Sequence, residues 1–176
     1  MSRHSFSFVI PAYNEAARLA PTLNAIADLS ASHLGECEII VVDDGSTDAT
    51  PDIARAFEAA HCRVCVLCVP HRGKGAAIRH GVSAATGKIV ILCDADLKDS
   101  VREVLSLLAA LNDGADIAIG SRWLAPAESR CAQPFHRRVA SRIYNLVAGR
   151  VLALPFRDTQ CGLKRSEERR VGKECQ

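Results

Sequence analysis

The chain has 176 residues, 48% hydrophobic and 24% charged, which suits one globular domain with a substantial core. Its formal net charge is +2, so bulk charge demands neither nucleic acid nor a membrane, and no nucleic-acid partner is expected. No apolar run approaches the ~20 residues that span a bilayer, and the N-terminal apolar stretch is interrupted by Pro11, Asn14 and Glu15. It is too short for a signal-peptide core, so a cytoplasmic location is expected.

FSFVI (6–10) reads as a first strand. Asn14 follows as the expected cap of a helix carrying Leu19, Leu23, Ile26 and Leu29 on one face. CEIIVV (37–42) is a nearly continuous apolar run, as befits a strand covered on both faces. DDGST supplies turn residues, and a helix through Ile53, Ala56, Phe57 and Ala60 comes next. CRVCVLCV (62–69) predicts a third strand, and Gly73 to Ala85 a helix bounded by Gly87. KIVILC (88–93) is a fourth strand ending at Asp94. Val101 to Leu111 is helical through Val104, Leu105, Leu108 and Leu111, and ADIAIGS (115–121) is a fifth strand. A last helix over about 135–154 combines Val139, Ile143, Leu146, Val147 and Leu154 with Arg137, Arg138, Arg142 and Arg150. It either covers the sheet or rests on a membrane surface.

Such alternation predicts an α/β fold, a mainly parallel sheet with helices on both faces. Ligands then bind outside the carboxyl ends of the strands. The groups at that edge are Pro11-Ala12-Tyr13-Asn14-Glu15, Asp43-Asp44-Gly45-Ser46, His71-Arg72-Gly73-Lys74, Asp94-Ala95-Asp96 and Ser121-Arg122.

The eight cysteines fit reduced thiols better than disulfides in a cytoplasmic chain. Cys62, Cys65 and Cys68 have a metal-like spacing, but on a strand Cys65 faces away from the other two, short of the four converging ligands zinc needs. RSEERRVGKECQ (165–176) is dense in charge with no apolar face. It is set apart from the domain of residues 1–164 as a non-native or disordered end.

Two carboxylates two residues apart after a buried strand, Asp94 and Asp96, need a counter-charge. A divalent cation supplies one, since Mg²⁺ takes one or two carboxylates plus phosphate oxygens; the alternative is a solvated acidic loop. Asp43 is the candidate for a base or ribose contact, while Asp44 either shares that role or closes the turn. Lys74, at a helix N-terminus, favours an anion. RGKG is not a P-loop, because Cys68 and Gly75 stand where Gly and Ser or Thr are required, and no GxGxxG is present. Arg122 can fork onto phosphate oxygens or lie at the surface.

FVIPAYNE, EIIVVDDGSTDAT, RGKGAAIRHGVSAATG, ILCDADL, GSRW and LPFRDTQCGLK occur in one order over residues 8–164. Together they resemble the family 2 glycosyltransferases, and within them the dolichyl-phosphate glucosyl- and mannosyltransferase group, with a lean to the glucosyl branch. The resemblance implies a GT-A fold, a nucleotide-sugar donor, Mg²⁺ or Mn²⁺, and a polyprenyl phosphate acceptor at a membrane surface. By the same resemblance, Pro11, Tyr13 and Glu15, with Ala12 between them, match nucleotide-holding positions, and Val41 and Asp43 the base-binding strand end. Asp94, Ala95 and Asp96 match the nucleotide–metal contact, and Arg122 a diphosphate contact. Asp158 and Gln160 match the acceptor and reaction side. Inversion by direct displacement follows, UDP-glucose being the favoured donor.

Two departures stand out. Lys98 sits where some relatives carry a neutral group near the metal, and an ammonium cannot ligate. The family pattern also stops after Lys164, so an incomplete, donor-binding but inactive chain is the alternative expectation, as is a saccharide hydroxyl acceptor.

Overall fold

The structure, a computed structural model, describes residues 6–61, 63–96, 103–113, 117–119 and 164–167. Two compact units divide the chain, Met1–Ala118 with Leu163–Gln176, and Ile119–Gly162. Of the second, Ile119 alone is described.

The elements run β1 (Phe6–Ala12), α1 (Ala16–Leu29), a π-helical turn (Ser30–Leu34), β2 (Cys37–Asp43), α2 (Thr50–Ala60), β3 (Val64–Cys68) and α3 (Lys74–Ala84). Then come β4 (Ile89–Leu92), α4 (Glu103–Asn112), β5 (Ile117–Ile119) and β6 (Lys164–Glu167). The sheet order is β3-β2-β1-β4-β6-β5. β1 pairs in parallel with β2 (Phe6 opposite Cys37) and with β4 (Phe6 opposite Ile89), and β2 pairs in parallel with β3 (Ile39 opposite Val64). The mainly parallel α/β fold expected from the alternation is therefore present.

Strand period two sorts the core. Val9, Ile40, Val42 and Val90 form one buried cluster with Ala77 of α3, joined by Leu67, Val82 and Leu92. Phe8, Ile10, Ile39, Val41 and Ile91, all buried, alternate to the other face. α1 buries Leu19, Thr22, Leu23, Ile26 and Leu29. Right-handed crossovers put α1 and α2 on one face, because β1→β2→β3 steps one way, and α3 on the other, because β3→β4 steps back.

Gly81 lets α3 approach closely. A Cβ there would lie 2.3 Å from Val9 Cγ1 and 3.0 Å from Val42 Cγ2, both in the buried cluster. Overpacking of this kind costs about 1–3 kcal/mol, against about 1 kcal/mol of helix propensity gained over glycine. Gly81→Ala is expected to lower the urea midpoint, a net loss of up to about 2 kcal/mol.

Several expectations are corrected by tertiary pairing. Asn14 does not cap α1. Glu15 occupies that position, Asn14 takes a left-handed φ of 55°, and its Oδ1 accepts the Thr47 N–H at 2.9 Å. Ala56 is exposed and Ala54 buried, so α2 is rotated from its expected face. Arg165, Ser166 and Glu167, set apart with the tail, continue a strand antiparallel to β4. Backbone pairing along an open strand edge asks nothing of side-chain type. The edge strand β3 is itself guarded, since the Val66 N–H donates to Glu58 Oε1 of α2 at 2.9 Å.

Cys37, Cys65, Cys68 and Cys93 are free thiols. Burial pushes the Cys37 and Cys93 thiols up, which keeps both protonated. Among the described residues no group of three or more His, Cys, Asp or Glu could hold a metal ion, and no helix is long and apolar enough to cross a membrane.

Candidate functional site

Strand order reverses between β1 and β4, because β1 is followed by β2 on one side while β4 flanks it on the other. The loops leaving these two strands diverge, and a crevice opens between them. A cleft of about 310 Å³ lies there, lined by Pro11 and Ala12 at the end of β1, Tyr13 and Glu15 just after it, Asp94 to Asp96 after β4, and Asp44, His71, Gly73, Lys74 and Ala77. That volume falls in the range of small-molecule sites, about 300–1,000 Å³.

The β1 and β2 loops are latched together. Asn14 N–H donates to Ser46 Oγ (3.0 Å), Glu15 N–H to Thr50 Oγ1 (2.8 Å) and Ala16 N–H to Asp48 Oδ2 (3.2 Å), while Asp44 N–H donates to Ala12 O (2.9 Å). Asp48 Oδ1 also accepts the Thr50 N–H (2.9 Å) and hydroxyl. One carboxylate thus serves the N-terminal ends of both α1 and α2. The Thr50 hydroxyl does most to hold the Asp48 carboxyl below its usual range, against some desolvation.

Asp44 is the second organiser. Its carboxylate is buried and accepts the Arg72 N–H on Oδ1 and the Gly73 N–H on Oδ2, each at 2.9 Å. His71 Nδ1 lies 2.9 Å from Oδ2 and 2.9 Å from the Asp44 carbonyl oxygen. The Arg72 N–H holds this carboxyl below the usual range; burial opposes, and the Gly73 N–H and His71 add to the lowering. Gly73 precedes α3 with φ 88°, a conformation that strains any residue with a Cβ. His71 in turn stacks on Tyr13 (centroids 4.3 Å apart, 27° between planes). Tyr13 is 44% exposed, the one large hydrophobic exposed among the described residues, so its ring is open to a ligand.

Lys74, the first residue of α3, pairs its ammonium with Asp94 Oδ1 across the cleft. Among the described residues the exposed Asp96 carboxylate has no partner. Two carboxylates and one ammonium leave one net negative charge. The set suits a divalent cation that takes one or two carboxylates and completes its shell with substrate phosphate oxygens. The chemistry available there is neutralisation of a diphosphate.

The family-wide sequence model described as Glycosyl transferase family 2 matches residues 7–164. The chain belongs to that family. Glycosyltransferase AglD of Haloferax volcanii is 35% identical over 90% of this chain and 26% of its own length. The dolichyl-phosphate beta-glucosyltransferase of Drosophila melanogaster is 34% identical over 90% of this chain and 53% of its own. The crystal structure of glucosyl-3-phosphoglycerate synthase from Mycobacterium tuberculosis with phosphoglyceric acid superposes with a TM-score of 0.67 at 25% identity, over 93% of this chain and 57% of that one. The fold is thus GT-A. This family 2 chain spans a quarter to a half of the length of the curated relatives it matches.

Of the residues expected from the sequence, Pro11, Ala12, Tyr13, Glu15, Lys74, Asp94, Ala95 and Asp96 all line this family 2 cleft. Val41 and Asp43 do not. Val41 is fully buried in the sheet, and the Asp43 carboxylate accepts the Ser46 N–H at 3.2 Å. The cleft residue of that block is Asp44. Arg122, Asp158, Gln160, Lys98, Cys62 and the helix expected over 135–154 lie outside the described residues. Sequence reasoning assigned no role to His71 and did not single out Thr22. His71 sits in the expected edge list, one residue before Arg72, and its pairing with Tyr13 and Asp44 needed the strand order to be known.

Proposed function

We propose that this chain holds a nucleotide diphosphate sugar in the β1/β4 cleft and transfers its hexose to a polyprenyl phosphate. One observation carries the reading: an open ring (Tyr13), an ammonium and helix N-terminus (Lys74, α3), and two carboxylates (Asp94, Asp96) meet at one sheet edge. The ring takes the base. The helix N-terminus and Lys74 face the diphosphate. Asp94 and Asp96 hold Mg²⁺ or Mn²⁺. UDP-glucose is the favoured donor, by the RGKGAA and DTQCGLK blocks.

The acceptor side of the proposal leans on the name of the Drosophila relative, a dolichyl-phosphate beta-glucosyltransferase. A phosphate monoester is already anionic at neutral pH and needs little help from a general base. Rate then rests on positioning and on charge stabilisation of the leaving diphosphate, with inversion at the anomeric carbon. Arg122 is assigned to the diphosphate, and Asp158 and Gln160 to the reaction side. The chain works peripherally at the cytoplasmic face of a membrane.

Calorimetry with UDP-glucose and GDP-mannose, with and without Mn²⁺, tests the donor half. One nucleotide is expected to bind in a metal-dependent way. A folded chain that binds neither overturns the reading. Incubation with the labelled donor and a short polyprenyl phosphate tests the acceptor half, with label expected in the organic phase. Label moving only to 3-phosphoglycerate or a saccharide overturns that half.

A further inference from the structure

Thr22 is a hydroxyl in an otherwise apolar stripe. It lies on α1 between Leu19, Leu23 and Ile26, all fully buried, and is itself 0% exposed. A buried hydroxyl is costly unless hydrogen-bonded, and a helical threonine commonly satisfies itself on a carbonyl of the preceding turn. Here it does not. Thr22 Oγ1 donates to the carbonyl oxygen of Ala95 at 2.7 Å, across 73 positions of sequence. That carbonyl lies between Asp94 and Asp96.

We infer that Thr22 is a positioning residue for the two carboxylates, an assignment that rests on the donor-site reading above. The carbonyl of Ala95 belongs to the planar peptide that joins Ala95 to Asp96. Holding that oxygen fixes the peptide plane and, with it, the direction in which the Asp96 Cα–Cβ bond leaves the backbone. The other end of the loop is held at Cys93, whose N–H donates to Val9 O at 3.1 Å. Between these ties the segment carries Ala95, 4% exposed, packed inward, while Asp94 and Asp96 line the cleft. Threonine suits the task because branching at Cβ leaves few side-chain rotamers in a helix. α1 is in turn anchored by its apolar stripe, so the rigid core sets the aim of an exposed acid.

The test is calorimetry of UDP binding to the full chain, with and without Mn²⁺, on wild type, Thr22→Val and Thr22→Ser, each first checked by thermal unfolding. The readout is the metal-dependent gain in UDP affinity. A merely structural threonine would lower the unfolding temperature and leave that gain unchanged. Groups that orient metal ligands are typically worth 10–100-fold in affinity, so Thr22→Val is expected to lose at least about 10-fold of the gain. Its metal-free UDP affinity is expected to stay near wild type, and Thr22→Ser to restore the gain. If Thr22→Val does not fold, Thr22→Ala replaces it with the same expectation. A folded Val or Ala variant that keeps the full gain, or a folded Ser variant that loses it, overturns the assignment alone. A folded wild type with no metal-dependent gain overturns the donor-site reading, and the assignment with it.

Discussion

Asp96→Ala is expected to remove the metal-dependent part of nucleotide binding, by at least about 100-fold, while leaving the fold intact. The expectation follows from charge counting in the cleft. Asp94 is already paired with the Lys74 ammonium, and Asp96 has no partner among the described residues. Wild type therefore offers a divalent cation one uncompensated carboxylate beside a shared one. Without Asp96 the Lys74–Asp94 pair is neutral, and the other carboxylates of the described cleft wall are engaged, Asp44 by the N–H groups of Arg72 and Gly73 and Glu15 by Arg18 at 3.4 Å. Asp96 is exposed, so its loss opens no cavity and strands no buried donor. Calorimetric titration of UDP with and without Mn²⁺ reads the effect, and thermal unfolding checks that stability is unchanged. Metal-dependent binding at wild-type strength in a folded Asp96→Ala chain would show that the cation is held elsewhere.

Asp44→Ala has the opposite signature, a large stability loss followed by weaker donor binding. The buried carboxylate accepts two backbone N–H groups and faces His71, so truncation strips both N–H groups of their acceptor and leaves His71 only the Asp44 carbonyl oxygen. Hydrogen bonds to charged groups contribute about 1.5–3 kcal/mol each. The loop is exposed enough at His71 and Arg72 for water to replace part of this, and the net loss is set at about 3 kcal/mol. In a domain of this size that lowers the melting temperature by roughly 6–12 °C. Donor affinity falls too, because the same loop positions His71 behind Tyr13 and leads into Lys74.

The pH dependence has a definite sign. The Asp44 carboxyl is held below the ordinary aspartate value in the folded chain. Its stabilisation is fully present above about pH 3.9, the unfolded value, and is lost as pH falls from there through the folded value. Urea midpoints measured from pH 6 downward should show the difference between wild type and Asp44→Asn shrinking below about pH 4. A difference that stays constant through that window would mean Asp44 acts by shape and not by charge.

The sequence by itself determined the class of fold and most of the cleft wall. Strand and helix periods are local properties, and chain order alone implies that the residues after each strand share one edge of a parallel sheet. Tyr13, Lys74, Asp94 and Asp96 were legible for that reason. The place where they meet was not, because it depends on strand order. β1 had to lie between β2 and β4 for the loops after β1 and β4 to part. The two aspartates of the β2 block were also beyond local reading. Asp43 and Asp44 are neighbours of one type, and only their partners, Ser46 for one and the N–H groups of Arg72 and Gly73 for the other, tell them apart. Asn14 looked like a helix cap because its type and position fit one, yet Thr47 from another loop claims its side chain. Thr22 carried no sequence signal at all. Its role rests on a hydrogen bond to Ala95, and contacts at such separation exist only once the sheet has brought α1 and the β4 loop together.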